Sequence, residues 1–183
     1  MSENKGALRR EMKERRNAAK DRSLRDGEIC KNLFSVPEFS NGGSVFLYAS
    51  FASEADTSRI ADELIRRGRR IFYPRVNGTE MYPVEYVGQA FSPGPFGVRE
   101  PIGERAEEIP EITVLPMLAA DKRLFRLGYG GGFYDRYLCC RNTLKIGICY
   151  DFQLIDHIPA EECDVPADIL VTDKRILYRN ERR

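Results

Sequence analysis

Arg126-Leu127-Gly128-Tyr129-Gly130-Gly131-Gly132-Phe133-Tyr134-Asp135-Arg136 packs four glycines between two arginines. Before it, the apolar run at 112–119 predicts a buried strand. After it, residues 133–140 predict the start of an amphipathic helix. A strand, a glycine-rich turn and a helix together make a phosphate site. Glycines let the backbone approach an anion, and free N–H groups and the positive end of the helix dipole then point at it. Arg126 and Arg136 add positive charge, and the Asp135 carboxylate suits a magnesium ion. The same cluster also fits a plain tight turn. It is not a Walker loop, because no G-x-x-x-x-G-K-[ST] pattern occurs. No isolated acid about 20 residues on completes a dinucleotide fingerprint. The local chemistry specifies an anion site, open to a metal, and does not name the anion.

Outward from this turn, strands are predicted at 44–49, 70–73, 81–87, 112–117, 145–150 and 169–172. Pro74 is expected to halt the second, and the third to lie near an edge. Helices are predicted at 5–19 and 23–35, the latter capped by Ser23. Another, capped by Asp56 or Thr57, runs to Arg67 and stops at Gly68. Residues 91–101, with prolines and glycines among aromatics, predict a loop, and residues 152–155 a short helical turn. The alternation implies a single α/β domain over residues 1–183. It is expected to be a three-layer sandwich with a mostly parallel central sheet flanked by helices. Ligands of such sheets gather at the C-terminal strand ends, where Glu54, the glycine-rich turn, Asp151 and Asp164 are expected to converge.

Composition narrows the class. With 183 residues, 42% apolar and 31% charged, the chain can bury a full core and reads as a soluble globular protein. No apolar run approaches the roughly 18–20 residues of a membrane span. The first 20 residues are charged and carry Glu3, Glu11 and Glu14, so neither a secretory signal nor a transit peptide is expected. Cys30, Cys139, Cys140, Cys149 and Cys163 show no C-x-x-C spacing, which argues against a disulfide framework or zinc site and for a reducing cytoplasm. Cys139-Cys140 is expected on the buried side of a helix. His157, the one histidine, belongs to no triad pattern and reads as a surface or core residue. Basic residues crowd the first segment. A solvated helix, a nucleic-acid arm and a set of phosphate ligands all fit that crowding. Lys5 and Arg9 stand four apart, so one helical face presents two cations that can straddle a polyphosphate.

Leu115-Pro116-Met117-Leu118-Ala119-Ala120-Asp121 followed by the glycine-rich stretch closely resembles the signature of the 5-formyltetrahydrofolate cyclo-ligase family (methenyltetrahydrofolate synthetase). Four more pieces fall in the family's order. Lys5-Gly6-Ala7-Leu8-Arg9 resembles its Lys-x-x-x-Arg element, and Glu54-Ala55-Asp56-Thr57 its Glu-x-Asp-Thr motif. Gly97-Val98-Arg99-Glu100-Pro101 resembles its Gly-Ile-x-Glu-Pro loop, and Cys163-Asp164-Val165-Pro166-Ala167-Asp168 its His-Asp-x-x-x-Asp element. The resemblance covers nearly the whole chain. One departure is Cys163, where the family commonly has histidine. Sulfur suits magnesium poorly, so Asp164 alone is carried over.

The resemblance implies an enzyme that cyclises 5-formyltetrahydrofolate to 5,10-methenyltetrahydrofolate with MgATP, releasing ADP and phosphate through a phosphorylated formyl intermediate. It implies ATP contacts from Lys5, Arg9, Arg126, Gly128, Gly130, Gly131, Gly132, Phe133 and Tyr134, and magnesium ligation by Asp135 and Asp164. Folate contacts are expected from Ala49, Glu54, Phe96, Tyr129 and Tyr134, with Arg126 and Asp135 catalytic. Glu54 also fits a helix-leading acid, Tyr134 also fits core packing, and Arg99 is expected to be solvated. The implied partners are these small molecules, without nucleic acid or membrane, acting on a monomer. Two rivals stay open. Another α/β phosphate enzyme, such as a sugar-phosphate isomerase or coenzyme A transferase, would need neither Lys5 nor the aspartate pair. A nucleic-acid module would rest on the basic first helix, without the aromatic–basic motif such modules carry.

Overall fold

A computed structural model describes residues 2–179; Met1 and residues 180–183 of the expected domain lie outside the described residues. The helices are α1 (Ser2–Ala18), α2 (Arg22–Ser35), α3 (Pro37–Ser40), α4 (Ser58–Arg66) and α5 (Phe133–Leu138). The strands are β1 (Val45–Phe46), β2 (Ile71–Asn77), β3 (Glu80–Tyr86), β4 (Phe91–Pro93), β5 (Arg99–Pro101), β6 (Ile112–Leu115), β7 (Ala119–Asp121), β8 (Arg126–Leu127), β9 (Leu144–Ile148), β10 (Leu154–Ile155), β11 (Ile169–Val171) and β12 (Ile176–Tyr178). The main sheet runs β12-β11-β9-β6-β1-β2-β3, with β6 at its centre. Its inner strands pair in parallel, and β12 and β3 close the edges antiparallel.

Alternation along the strands gives each sheet face its own core. Val45, Ile71, Val114, Ile146 and Val171 face α2, α3 and α4, packing with Ile29, Leu33, Phe39, Ile60 and Leu64. Phe46, Phe72, Leu115 and Leu170 face the other way, onto Tyr137 and Leu138 of α5 and Ala120 of β7. Strands buried on both sides read as unbroken apolar runs, as parallel strands do. Truncating a fully buried residue such as Leu33 to alanine is expected to cost about 2–5 kcal/mol. The sandwich is therefore α/β with a mostly parallel centre. Its second outer layer combines α5 with a small sheet ordered β10-β7-β8. On that small sheet lies α1, with Met12 packed against Leu118, Ala119, Leu127 and Ile158.

Local differences from the sequence expectations have physical causes. Pro74 does not halt β2. It stands opposite Pro83 of β3, so no ladder donor is missing between them, and β1 reaches only Ile71 and Phe72 on the other side. The 91–101 segment is a hairpin, β4 paired with β5, because its prolines stand on free edges. The α2 cap is the backbone at Asp21, with φ of 57°, and Ser23 lies inside the helix. At α4, Asp56 Oδ1 accepts from Ser58 N at 3.1 Å, while Thr57 Oγ1 donates to Tyr48 O at 2.8 Å. Residues 151–153 form a single 3-10 turn leading into β10. Helix α5 ends at Leu138, where Arg141 Nη1 donates to Tyr137 O at 2.6 Å. That early end leaves Cys139 and Cys140 exposed rather than buried, with Sγ atoms 3.3 Å apart.

Candidate active site

The glycine-rich turn leaves β8, not the central strand: the β7–β8 hairpin intervenes, with Ala119 opposite Leu127. Gly130 (φ 102°) and Gly132 (φ 65°) adopt conformations that side chains resist, and Gly132 is the N-cap of α5. A Cβ at Gly130 would sit 3.4 Å from Arg9 Cζ. Arg9 Nε donates to Gly128 O at 3.0 Å, fastening α1 to the turn. One helical turn earlier, Lys5 Nζ lies 3.0 Å from both Asp164 Oδ2 and Glu161 Oε1. Partial burial disfavours the Lys5 charge, but these acids outweigh it and raise its pKa. Across the turn, Arg126 Nη2 donates to Asp135 Oδ1 at 2.8 Å, and Nη1 donates to Val165 O.

Glu54 hangs from a clamped loop after β1. Tyr48 Oη donates to Ala55 O at 2.8 Å, and Asp56 N donates to Asp26 Oδ1 at 3.1 Å. Tyr150 Oη also donates to Asp26 Oδ1, at 2.8 Å. Glu54 is itself buried, and its Oε2 accepts from Phe51 N at 3.2 Å. Burial raises its pKa above the ordinary 4.5, against the opposing pull of the Phe51 N–H, Arg16 and Tyr129. Tyr134 packs toward Phe46, with ring centroids 6.4 Å apart, and burial pushes its phenol strongly up. Phe96 occupies the tip of the β4–β5 hairpin at φ 61°, its ring 5.9 Å from that of Phe133. Arg99 is exposed and donates to Phe91 O at 3.0 Å.

These surfaces, Arg99 apart, meet in one cavity of about 920 Å³, near the upper end of ordinary ligand pockets. Lys5, Arg9, Ala49, Glu54, Phe96, Arg126, the glycines at 128 and 130–132, Tyr129, Phe133, Tyr134, Asp135 and Asp164 all line it. Asp151 does not; it pairs with Arg175 at 2.7 Å. His157 is exposed and lies outside it. Lys13, Arg16, Glu100 and Cys163 line it without having been singled out by role. Lys5, Arg9, Lys13 and Arg16 follow the helical repeat, and that periodicity was the available signal. The predicted dipole contribution is small, because α5 has six residues. Positive charge comes mainly from α1 and Arg126.

The donor set fits magnesium arriving with a nucleotide. Neighbours occupy Asp135 Oδ1 and Asp164 Oδ2, while Asp135 Oδ2 and Asp164 Oδ1 accept no hydrogen bond among the described residues. No group of three or more metal-ligating side chains occurs among the described residues. Magnesium commonly takes one or two carboxylates and fills its shell with phosphates and water.

A doubly covered α/β sheet with a cation-lined cavity beside a glycine-rich turn defines an enzyme that handles a polyanionic substrate. Comparison with known proteins names the kind. The model of the 5-formyltetrahydrofolate cyclo-ligase family matches residues 1–173, and the chain belongs to that family. It is 29% identical over 171 residues to a protein of Schizosaccharomyces pombe named probable 5-formyltetrahydrofolate cyclo-ligase, covering 81% of this chain and 84% of the relative. A 5-formyltetrahydrofolate cyclo-ligase of Mycolicibacterium smegmatis is 35% identical over 147 residues, covering 74% and 76% respectively. The NMR structure of Aquifex aeolicus 5,10-methenyltetrahydrofolate synthetase superposes with a TM-score of 0.83 at 32% identity, covering 98% of this chain and 94% of that one.

Proposed function

We propose that this family member converts 5-formyltetrahydrofolate and ATP to 5,10-methenyltetrahydrofolate, ADP and phosphate, with Asp135 and Asp164 holding magnesium. The observation that carries this reading is the convergence on one cavity of the Lys5 and Arg9 face, the glycine-rich turn and Glu54. The formyl oxygen attacks the terminal phosphorus, and the bond to the bridging oxygen breaks to release ADP. The anilino nitrogen then attacks the formyl carbon. The C–O bond to phosphate breaks, and the nitrogen gives up its proton.

Phosphoryl transfer asks the protein for position and charge neutralisation rather than covalent work. Lys5, Arg9 and Arg126 neutralise the phosphates, and the backbone amides at 130–132 cradle one of them. Asp135 orients Arg126 through their 2.8 Å contact. Magnesium, when bound, supplies further neutralisation of the phosphate oxygens. Glu54 faces the folate near its reacting nitrogens, with Ala49, Tyr129, Tyr134 and Phe96 forming the walls. Holding both nitrogens in place supplies the orientation that ring closure requires.

On this reading the whole chain is one domain that acts as a monomer, with a single copy supplying the cavity-lining residues named above. A cytoplasmic location is supported by the five free cysteines. No helix among the described residues is long and apolar enough to cross a membrane. The test is stoichiometry. ADP and phosphate should each appear in a one-to-one ratio with folate consumed, and neither should form when 5-formyltetrahydrofolate is left out. Steady ATP hydrolysis without folate would contradict the proposal.

A further inference from the structure

Cys139 and Cys140 are adjacent in sequence, and both are exposed. Neighbours inside a helix do not face each other. Helix α5 ends at Leu138, one residue before the pair, and the turn that follows brings the two Sγ atoms to 3.3 Å. That turn is held from both sides. Cys139 N donates to Asp135 O at 3.0 Å, and Arg141 N donates to Leu138 O at 3.2 Å. Arg141 Cζ lies 4.3 Å from the Tyr137 ring centroid, which fixes the far end. A thiol has one proton. Cys139 Sγ donates its own to Arg136 O at 3.2 Å, so the contact between the sulfurs uses the Cys140 proton, with Cys139 Sγ as acceptor.

What such a pair binds follows from the number of sulfurs and their spacing. Thiolates select soft, thiophilic ligands. A closed zinc site needs four ligands, and no group of three or more metal-ligating side chains occurs among the described residues. A linear two-coordinate cation needs its sulfurs on opposite sides. A trivalent pyramidal centre needs them close together on one side, and an arsenic atom that already carries a carbon group needs only two. A direct disulfide fits less well. Adjacent Cα atoms stand about 3.8 Å apart across a trans peptide, short of the roughly 4.4 Å at which disulfides usually begin. An atom bridging the two sulfurs relieves that constraint.

We propose that Cys139 and Cys140 form a dithiol site for a trivalent organoarsenical, set in the wall of the cavity so that its occupant intrudes on the substrates. Two arsenic–sulfur bonds form and the arsenic–oxygen bond of the reagent breaks. Both thiol protons leave with that oxygen as water, and arsenic stays trivalent, so nothing is oxidised or reduced. Cys139 lines the same cavity as Gly132, Asp135 and Arg136, and Asp135 stands one helical turn before it. Among the other cysteines, Cys30 is half-buried and Cys149 is buried. Cys163 is exposed and lines the cavity, but it has no cysteine beside it in sequence.

The experiment titrates phenylarsine oxide into the reduced full chain as wild type, Cys139→Ser, Cys140→Ser and Cys163→Ser. All three positions are exposed, so the substitutions leave the core intact. Intact-protein mass and a count of free thiols read the binding. Wild type and Cys163→Ser should each take up one arsenical and lose two free thiols. Cys139→Ser and Cys140→Ser should bind at least about a hundredfold more weakly, because the second sulfur acts at high effective concentration. A dithiol should reverse the adduct, and a monothiol at the same thiol concentration should not. Equal uptake by Cys139→Ser or Cys140→Ser, or loss of uptake in Cys163→Ser, would overturn the site. Turnover of 5-formyltetrahydrofolate by wild type should be lost in proportion to the fraction modified, while Cys140→Ser at the same reagent concentration keeps its untreated rate. Full turnover by fully modified wild type would overturn the placement in the cavity wall. Mass and thiol count need no turnover, so absence of product from untreated wild type would refute the folate reading and leave the dithiol site to be judged on binding.

Discussion

Lys5 Nζ lies 3.0 Å from Asp164 Oδ2, so the first helix and the loop before β11 meet through a cation and a carboxylate that MgATP would both engage. Arg126 and Asp135 repeat the arrangement at 2.8 Å. Side chains already held by such pairs lose less rotamer freedom when a phosphate or metal takes over as partner.

Lys5→Ala and Arg9→Ala should each raise the KM for ATP tenfold or more. Loss of one charge-assisted hydrogen bond is worth about 1.5–3 kcal/mol. Stability should change little, because the Lys5 pair is partly exposed and such pairs contribute about 1 kcal/mol or less. Steady-state kinetics and a melting curve check both parts, and unchanged ATP affinity in both variants would remove them from the phosphate site.

Asp135→Asn should lower turnover at least tenfold and raise the magnesium concentration needed for half-maximal rate. It should also lower Tm. The Arg126 side chain is 5% exposed and would lose its counter-ion, a cost of about 1–3 kcal/mol. Asp164→Asn, which leaves Lys5 its second partner Glu161, should shift the magnesium requirement with little change in Tm. A wild-type magnesium titration in both variants would contradict the metal assignment.

For Glu54 the sign of the pH effect follows from burial. Its folded pKa is raised above 4.5, so the native state holds the proton more tightly than the unfolded chain. Its contribution to stability is present below 4.5 and is lost as pH rises through the raised value. Glu54→Gln should therefore leave Tm equal or higher at pH 7, with no gain at pH 4, while turnover falls and the acid limb of kcat/KM disappears. Wild type should show that limb above pH 4.5. A variant that melts lower at pH 7 and keeps the limb would contradict this account.

Phe96 combines an exposed ring with a left-handed backbone at φ 61°. That conformation costs a non-glycine residue about 1–3 kcal/mol. Phe96→Gly should hold or raise Tm while raising the KM for 5-formyltetrahydrofolate severalfold, and Phe96→Ala should raise the KM without the stability benefit. An unchanged folate KM in both would reduce Phe96 to a surface residue.

Much of the fold was legible because parallel strands buried on both faces are nearly unbroken apolar runs, as at 112–115 and 169–171. The glycine-rich turn was legible because its positive-φ positions require glycine. What stayed hidden depended on tertiary context. Pro74 is tolerated only because Pro83 faces it and β1 is short. The β7–β8 hairpin hid inside a run that reads as one strand and turn. Asp151 sits after a strand like a ligand, yet Arg175 draws it away from the cavity. Arg16 is one arginine among many in α1, and its burial shows only once Ser53, Met117 and Tyr129 are brought around it.

The measurement that tests the central claim most directly is the near-ultraviolet absorbance of 5,10-methenyltetrahydrofolate after mixing the protein with 5-formyltetrahydrofolate, ATP and magnesium. A rise that disappears when ATP or magnesium is omitted is the predicted result. No rise under conditions where ATP is bound would contradict the folate assignment.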